Sequence, residues 1–308
     1  MKCTFLGTGT SHGIPVIACP CECCTSTDAK DTRFRSSLWV TESRKDDREP
    51  FSFVIDTGPD FRSQALKYKI KNLHASLLTH SHADHLNGLD DIRIFSYTKS
   101  YEPGAKEGQK IVHGETSGKG LPVYGDELTL SDLRTRFSYI FNTTQLGGGK
   151  PKISLELCTS FTKDAPLILG TMAVVPVPMI HGSQPTVGWL IFKDWDEKTK
   201  TFGEGIAYLT DCSKIPDTSM DILLSVKDRL RHVVIDGLRP RPHTTHFSMK
   251  EAFEIGVKIG APYTWITHIC HDLTHVQIQS YLDSLKKEYT VPSEYRFSPA
   301  YDGLTLEL

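Results

Sequence analysis

Short apolar runs, many of them ending in a polar side chain, recur along this chain of 308 residues. Their length and their Val, Ile and Leu content are typical of buried β-strands, and stretches with apolar residues at helical spacing separate them. Capping boxes at Ser248-x-x-Glu251 and Thr274-x-x-Gln277 mark the starts of two helices. Strands and helices alternate without a seam, which predicts one α/β domain over residues 1–308 with two layers of sheet inside. The clearest predicted strands are 2–6, 37–40, 51–55, 121–124, 153–157, 172–177, 186–192 and 205–209.

The densest group of polar side chains is His80-x-His82-x-Asp84-His85, which follows the apolar run 75–78 and precedes a helical pattern. A strand directs residues i and i+2 to the same side, so His80 and His82 can share one metal ion. Asp84 and His85 lie on the turn that follows and can face a second ion. Imidazole with carboxylate suits zinc, manganese, iron or nickel. The sequence therefore predicts a metal site on a strand-to-helix loop.

Three later apolar runs end in the same kinds of side chain, at His181, Asp211 and His268. Taken alone, His181 fits an ordinary histidine at a strand end equally well. The run 51–55 ends in Asp56, which fits either a chain turn or a role near a metal site.

Four of the eight cysteines crowd into residues 19–24. Disulfide partners for such a cluster would all have to lie far away, so metal binding explains it better. Cys19, Cys21 and Cys24 form Cys-x-Cys-x-x-Cys, and three thiolates with one histidine make a closed structural zinc site. His271 is the candidate fourth ligand, Cys23 is surplus, and Cys270 is a competitor of His271. The candidates are thus Cys19, Cys21, Cys24, and either His271 or Cys270.

Charge and hydropathy narrow the class of protein. The formal net charge of −2 gives no basic field for holding large nucleic acid. No apolar stretch reaches eighteen residues, so no membrane span is expected. The first residues turn to glycine too early for a signal peptide, which makes a cytoplasmic location the expectation. Whether the chain forms a homodimer stays open.

Residues 99–120 are rich in Gly, Lys, Glu and Ser and poor in large apolar side chains. They predict a long inserted loop that is neither a linker nor a domain boundary. Such a loop is either a flap near the functional site or a solvated excursion.

The motif His80-x-His82-x-Asp84-His85 resembles that of the metallo-β-lactamase-fold hydrolases. This resemblance implies a four-layer αββα sandwich with two catalytic divalent metal ions, zinc or manganese, at one edge of its sheets. It implies that Asp211 bridges the ions and that Asp56 orients a metal-bound histidine. The remaining implied ligands are His80, His82 and His181 for one ion and Asp84, His85 and His268 for the other.

The cysteine set with His271 resembles one branch of these hydrolases, the phosphoribosyl 1,2-cyclic phosphate phosphodiesterases. That resemblance implies a third, structural zinc ion. It also implies that His246, just before the capped helix, contacts the substrate phosphate and protonates the leaving oxygen, with His243 as the rival. His246 and the ligand Asp84 are therefore the catalytic candidates.

The implied reaction is hydrolysis of a small phosphodiester, a cyclic one in the resembling branch, by a hydroxide that bridges the two metal ions. Transfer-RNA 3′-end-processing endonucleases share the ligand pattern, but they usually carry a substrate-gripping arm where only residues 182–210 lie here. Non-enzymatic relatives in quinone-cofactor assembly share the cysteine motif but have a degraded metal motif. An exported metallo-β-lactamase would need a signal peptide. The intact ligand set favours catalysis on a small molecule.

Overall fold

Two mixed β-sheets stack face to face in the computed structural model, which describes residues 1–43, 49–96, 120–142 and 150–308. Of the loop predicted at 99–120, residues 99–119 lie outside the described residues. Among the described residues the first sheet contains β1 (Lys2–Gly7), β2 (Ser37–Glu42), β3 (Phe51–Ile55), β4 (Ala75–Leu77), β5 (Leu121–Gly125), β6 (Ile153–Leu157) and β14 (Thr305–Glu307). The second contains β7 (Leu167–Leu169), β8 (Met172–His181), β9 (Gln184–Phe192), β10 (Gly205–Leu209), β11 (Leu230–Asp236), β12 (Tyr263–Thr267) and β13 (Arg296–Pro299).

Both sheets change from antiparallel to parallel pairing partway across. In the first, β14, β1, β2 and β3 pair antiparallel, while β3, β4, β5 and β6 pair parallel. In the second, β7 to β10 pair antiparallel and β10 to β13 pair parallel. Within each sheet, the parallel strands therefore have their carboxyl ends at the same edge.

Helices cover the outer face of each sheet. The described helices are α1 (Phe61–Lys67), α2 (Ala83–Leu86), α3 (Arg93–Ser96), α4 (Glu127–Arg136), α5 (Ser138–Phe141), α6 (Asp217–Ser225), α7 (Met249–Ile259) and α8 (His275–Glu288). Short 3₁₀ turns lie at Ala29–Asp31, Leu89–Ile92 and Lys227–Arg229.

Three apolar cores separate the four layers. Phe5 and Phe53 of the first sheet pack with Trp189 and Tyr208 of the second in the central core, and all four are fully buried. A second core joins the first sheet to α1, α2 and α4, and a third joins the second sheet to α6, α7 and α8. Burial of side chains this large dominates the stability of such a layered fold. The predicted αββα sandwich is confirmed.

The predicted strands are confirmed, with β8 longer than expected because it continues to His181. Both capping boxes are present at the starts of α7 and α8. The helical spacing of Leu130, Leu133, Phe137 and Ile140 predicts helix over 128–141, and this segment is helical but divided into α4 and α5. It is interrupted at Phe137, where φ −107° and ψ 36° leave helical geometry and the ring packs against the core under the first sheet. Across the described ranges, no helix is both long and apolar enough to cross a membrane.

Candidate metal centre

One edge of the sandwich collects the polar residues that end the apolar strands. β8 and β10 are both antiparallel to β9, so they run in the same direction, as do β10, β11 and β12. Their carboxyl ends therefore meet, and they bring His181, Asp211 and His268 together. Asp56 arrives at the same edge from β3 of the first sheet.

Several of these residues turn the chain sharply where a strand ends. Asp56, Asp211 and His268 have φ values of 62°, 53° and 55°. This left-handed conformation costs a non-glycine residue about 1–3 kcal/mol and occurs preferentially at functional sites. At each of the three residues, this conformation turns the side chain toward the edge of the sandwich where the strand ends meet.

The loop from His80 to His85 is held by two glycines that no larger residue could replace. A Cβ atom on Gly58 would lie 1.9 Å from the carbonyl oxygen of Asp84, and one on Gly88 would lie 2.0 Å from that of Gly58. Thr57 N donates to His85 O at 2.8 Å, and Gly88 N donates to Thr57 O at 2.8 Å. These backbone contacts fix where the loop places its side chains.

The ligand-type side chains form two adjoining groups, and within each group the candidate ligand atoms lie within 4.8 Å of one another. Asp211 lies between the groups, with Oδ2 3.2 Å from His85 Nε2 and 3.7 Å from His80 Nε2. Its other oxygen is 3.1 Å from His268 Nε2. The structure thus places the predicted bridge between the predicted sites, while ligation itself stays a prediction. The groups are His80, His82 and His181, and Asp84, His85, Asp211 and His268.

The ring nitrogens show why these side chains fit a metal. His85 Nδ1 donates to Asp56 Oδ2 at 2.7 Å, and His181 Nδ1 donates to Thr245 O at 2.6 Å. Thr79 Oγ1 donates to Asp56, so it accepts from His80 Nδ1 at 3.0 Å. Nε2 of His80 and Nε2 of His85, opposite these donors, are buried with no hydrogen-bond partner among the described residues, and so are both ring nitrogens of His268. Buried nitrogens left in this way are those that would bind a metal.

Burial also keeps two of these histidines neutral, the form that binds a metal. It lowers the pKa of His80 well below its ordinary value and that of His181 to about 4. For Asp211, burial raises the pKa, but the charges of His268 and His85 outweigh it, and the net pKa lies well below its usual range.

His246 faces both groups from the opposite side. Its ring centroid lies 4.6 Å from that of His181 and 4.7 Å from that of His268. Its Nδ1 donates to Asp236 Oδ2 at 2.7 Å. The rival His243 is exposed, and its Nδ1 accepts from Thr245 N at 3.3 Å. Of the two, His246 is the histidine that lies next to the candidate ligand groups.

Asp236 was missed by the sequence reasoning. It is fully buried at the end of β11, accepts from Cys212 N at 3.0 Å, and fixes the orientation of His246. A signal was present, because the apolar run 233–235 ends in Asp236 just as β10 precedes Asp211.

The cysteine cluster lies beside this edge, next to the turn that carries His271. His271 Nδ1 is 3.3 Å from Cys19 Sγ, 3.4 Å from Cys21 Sγ and 3.5 Å from Cys24 Sγ. Tetrahedral coordination of one zinc ion by sulfur and nitrogen requires a separation of about 3.6 Å, so the four side chains fit. Cys270 instead donates from Sγ to Asp272 Oδ1 at 3.2 Å. The geometry places His271 in the fourth position, and the zinc ion itself stays a prediction.

Comparison with known proteins relates this chain to one family. Residues 52–269 match the family model of the β-lactamase superfamily domain. An octanoyltransferase of Porphyromonas gingivalis (strain ATCC BAA-308 / W83) is 33% identical over 273 residues, which are 88% of this chain and 46% of that protein. The chain therefore spans less than half the length of that curated relative.

Solved structures of other proteins have a similar fold. A new diphosphatase from the PhnP family has 32% identity and a TM-score of 0.73, covering 100% of this chain and 97% of that one. Zinc-bound PqqB from Methylobacterium extorquens has 17% identity and a TM-score of 0.67, with both chains covered fully. The short form of human tRNase Z has 16% identity and a TM-score of 0.60, covering 100% of this chain and 99% of that one. The last two show a shared fold only.

Proposed function

The chain belongs to the β-lactamase superfamily and has the metallo-β-lactamase fold of its hydrolases, and from this premise we propose that it is a metal-dependent phosphodiesterase acting on a small substrate. The substrate class that we favour is a cyclic sugar phosphodiester such as phosphoribosyl 1,2-cyclic phosphate. One observation carries the proposal: a histidine held by a buried aspartate faces the ligand groups, where a leaving oxygen would need a proton.

The two ligand groups would hold two divalent cations with Asp211 between them, and the cysteine cluster would hold a zinc ion. Cations bound by the two ligand groups would activate a water molecule and neutralise charge on the phosphoryl oxygens. The protein's own residues position the ligand side chains. Asp56 and the Thr245 carbonyl fix the rings of His85 and His181.

His246 would supply the proton. Asp236 accepts from Nδ1, which leaves Nε2 to address the leaving oxygen. Burial lowers the pKa of His246, so its protonated form gives up the Nε2 proton readily but is the minor form at neutral pH. General-acid help matters most where the leaving group is a poor one, and a sugar hydroxyl is such a group.

Cleavage of a diphosphate is a second candidate, because the 32% identical structure is that of a diphosphatase. A large RNA substrate has less support. Residues 182–210, every one of which is described, consist of β9, a short loop and β10, with no arm for holding RNA.

The test is a substrate screen of purified protein supplied with Zn²⁺ or Mn²⁺. The panel contains phosphoribosyl 1,2-cyclic phosphate, a linear phosphodiester, a nucleoside diphosphate and a transfer-RNA precursor. We expect the highest kcat/KM on the cyclic phosphodiester. Preference for the diphosphate would select the second candidate, and turnover of the RNA alone would contradict the proposal.

A further inference from the structure

Two side chains of α4 hold Ser81, the residue between His80 and His82. Asp132 Oδ2 accepts a hydrogen bond from Ser81 Oγ at 2.6 Å, and Arg136 Nη1 donates to Ser81 O at 2.5 Å. Asp132 and Arg136 are four residues apart in the helix, so they lie on the same face, and Arg136 Nη2 is 3.7 Å from Asp132 Oδ2. Helix α4 thus fixes both the side chain and the carbonyl group of Ser81.

The helix is a firm support for these contacts. Its first turn is capped by Asp126, whose side chain accepts a hydrogen bond from Thr129 N at 2.8 Å. Leu133 is fully buried in the core under the first sheet. The same core contains Leu78 and Leu86, which flank the segment that carries the four ligands of the metal motif. Side chains of α4 are therefore held in a fixed position relative to that segment.

His82 is the histidine of its ligand group whose ring lacks a support of its own. In the same group, Thr79 Oγ1 accepts a hydrogen bond from His80 Nδ1 at 3.0 Å. The Thr245 carbonyl accepts from His181 Nδ1 at 2.6 Å. Among the described residues, neither ring nitrogen of His82 has a hydrogen bond. Its ring packs against those of His80 and His181, with centroid distances of 4.5 and 4.9 Å.

The backbone of His82 is held instead, from both sides. Its φ of −61° and ψ of 152° are extended, and α2 begins at the next residue. On that side, His85 N and Leu86 N each donate to the carbonyl of His82 at 3.1 Å. On the other side, Ser81 is held by α4. Consecutive side chains of an extended chain point to opposite sides, so the contacts at Ser81 set the direction in which the neighbouring imidazoles point.

We propose that Asp132 and Arg136 are positioning residues for His82 and that they raise the affinity of its ligand group for a cation. They act through Ser81. This inference rests on the proposed function, since it requires that the two ligand groups hold cations. Support of a metal ligand by an outer contact is worth about 10- to 100-fold in metal affinity. The other ligand group has its own support in Asp56, so the effect falls on one of the two cations.

The experiment titrates Co²⁺ into the protein after mild chelation and follows binding by calorimetry and visible absorption. We expect two binding steps in the wild-type protein. In Asp132→Ala one step weakens by about 10- to 100-fold, and it is the step that His82→Ala removes, not the one that His268→Ala removes. Arg136→Met weakens the same step. Asp132→Asn retains most of the affinity, because its amide oxygen can still accept from Ser81.

Arg134→Met is the matched control. Arg134 belongs to the same helix, but its guanidinium carbon lies 4.7 Å from the ring centroid of Phe141 in α5. Its substitution leaves both binding steps at the wild-type affinity. Ser81→Ala removes the hydrogen bond to Asp132 without altering α4, so it shows the loss of Asp132→Ala even if that variant fails to fold. The double variant loses no more than either single one, since both remove the same bond.

Two results would overturn this role of α4 without touching the proposed function. One is wild-type affinity at both steps in Asp132→Ala and Ser81→Ala. The other is an equal loss at both steps that Arg134→Met shares, which would indicate a general effect on folding. If the wild-type protein binds no Co²⁺ at either ligand group, the proposed function fails together with the inference.

Discussion

The candidate metal centre and the cysteine cluster lie side by side but are built in different ways. In the metal centre, the side chains of His80, His85, Asp211 and His268 are at most 2% exposed. His80, Asp211 and His268 lie just beyond strand ends and His85 lies in α2, and buried hydrogen bonds hold the rings of His80 and His85. Cys19, Cys21, Cys24 and His271 are all partly exposed, and they lie on an irregular segment and a turn.

The supports of the two regions differ as much as their burial. Asp56, Thr79 and Thr245 fix the rings of metal-centre histidines through their Nδ1 atoms. Among the described residues, two backbone donors reach the cysteine sulfurs: Val16 N lies 3.3 Å from Cys24 Sγ, and Cys24 N lies 3.4 Å from Cys21 Sγ. In the first region the protein positions the ligands, whereas in the second a bound ion would position the protein.

The two regions are nevertheless connected. His271 follows His268 by three residues, and between them Thr10 N donates to Ile269 O at 3.1 Å. A zinc ion in the cysteine cluster would thus hold the N-terminal segment against the strand end that carries His268. The comparison predicts that substitutions in the first region act on turnover and those in the second act on stability.

The largest loss of turnover is expected from the metal centre itself. His80→Ala or Asp211→Ala removes a proposed metal ligand and should lower kcat by roughly 10³-fold or more, since metal catalysis is worth several kcal/mol. Steady-state kinetics with metal added back measures it. Wild-type activity in either variant would show that the site lies elsewhere.

The next largest loss of rate, that of His246→Ala, should depend on the leaving group of the substrate. His246→Ala keeps its metal ions and loses roughly 10²–10⁴-fold in rate on a cyclic ribose phosphate, the usual worth of a general acid. On bis(p-nitrophenyl) phosphate the loss is much smaller, because the phenolate leaves without a proton. Equal losses on both substrates would instead indicate that His246 positions the phosphate.

Two buried aspartates should give smaller losses by different routes. Asp56→Asn weakens the support of His85 and should lower metal affinity about 10- to 100-fold. Asp236→Asn weakens the support of His246 and should lower kcat on the cyclic substrate by a similar factor while metal affinity stays unchanged. Metal titration and kinetics on the same preparations separate the two routes. If both variants lose metal equally, Asp236 supports the ligands and not the proton donor.

The smallest effect on turnover is expected in the cysteine cluster. Cys21→Ser should leave kcat within a few-fold of wild type at low temperature but lower Tm by roughly 10 °C, because the folding energy of a structural zinc site is lost. Cys23→Ser is the matched control, since Cys23 lies outside the set that His271 completes. A fall in Tm for Cys23→Ser as large as for Cys21→Ser would remove the claim that the cluster is specific.

Much of this arrangement could be predicted from sequence because the residues concerned end apolar runs. His181 ends a buried strand, Asp211 and His268 follow buried strands, and strands that run in the same direction bring their ends to one edge. Asp236 obeys the same rule but was missed, because it lacks the spacing of a metal motif.

The division into a catalytic and a structural metal site is tested most directly by measuring metal content and turnover before and after mild chelation. Three ions per chain are predicted at the start. Chelation should remove two and abolish hydrolysis of the cyclic phosphodiester, while one zinc ion stays in the closed thiolate site. Addition of Zn²⁺ or Mn²⁺ should restore turnover. Loss of all the metal together, or full turnover with only one zinc ion bound, would contradict the division into a catalytic and a structural site.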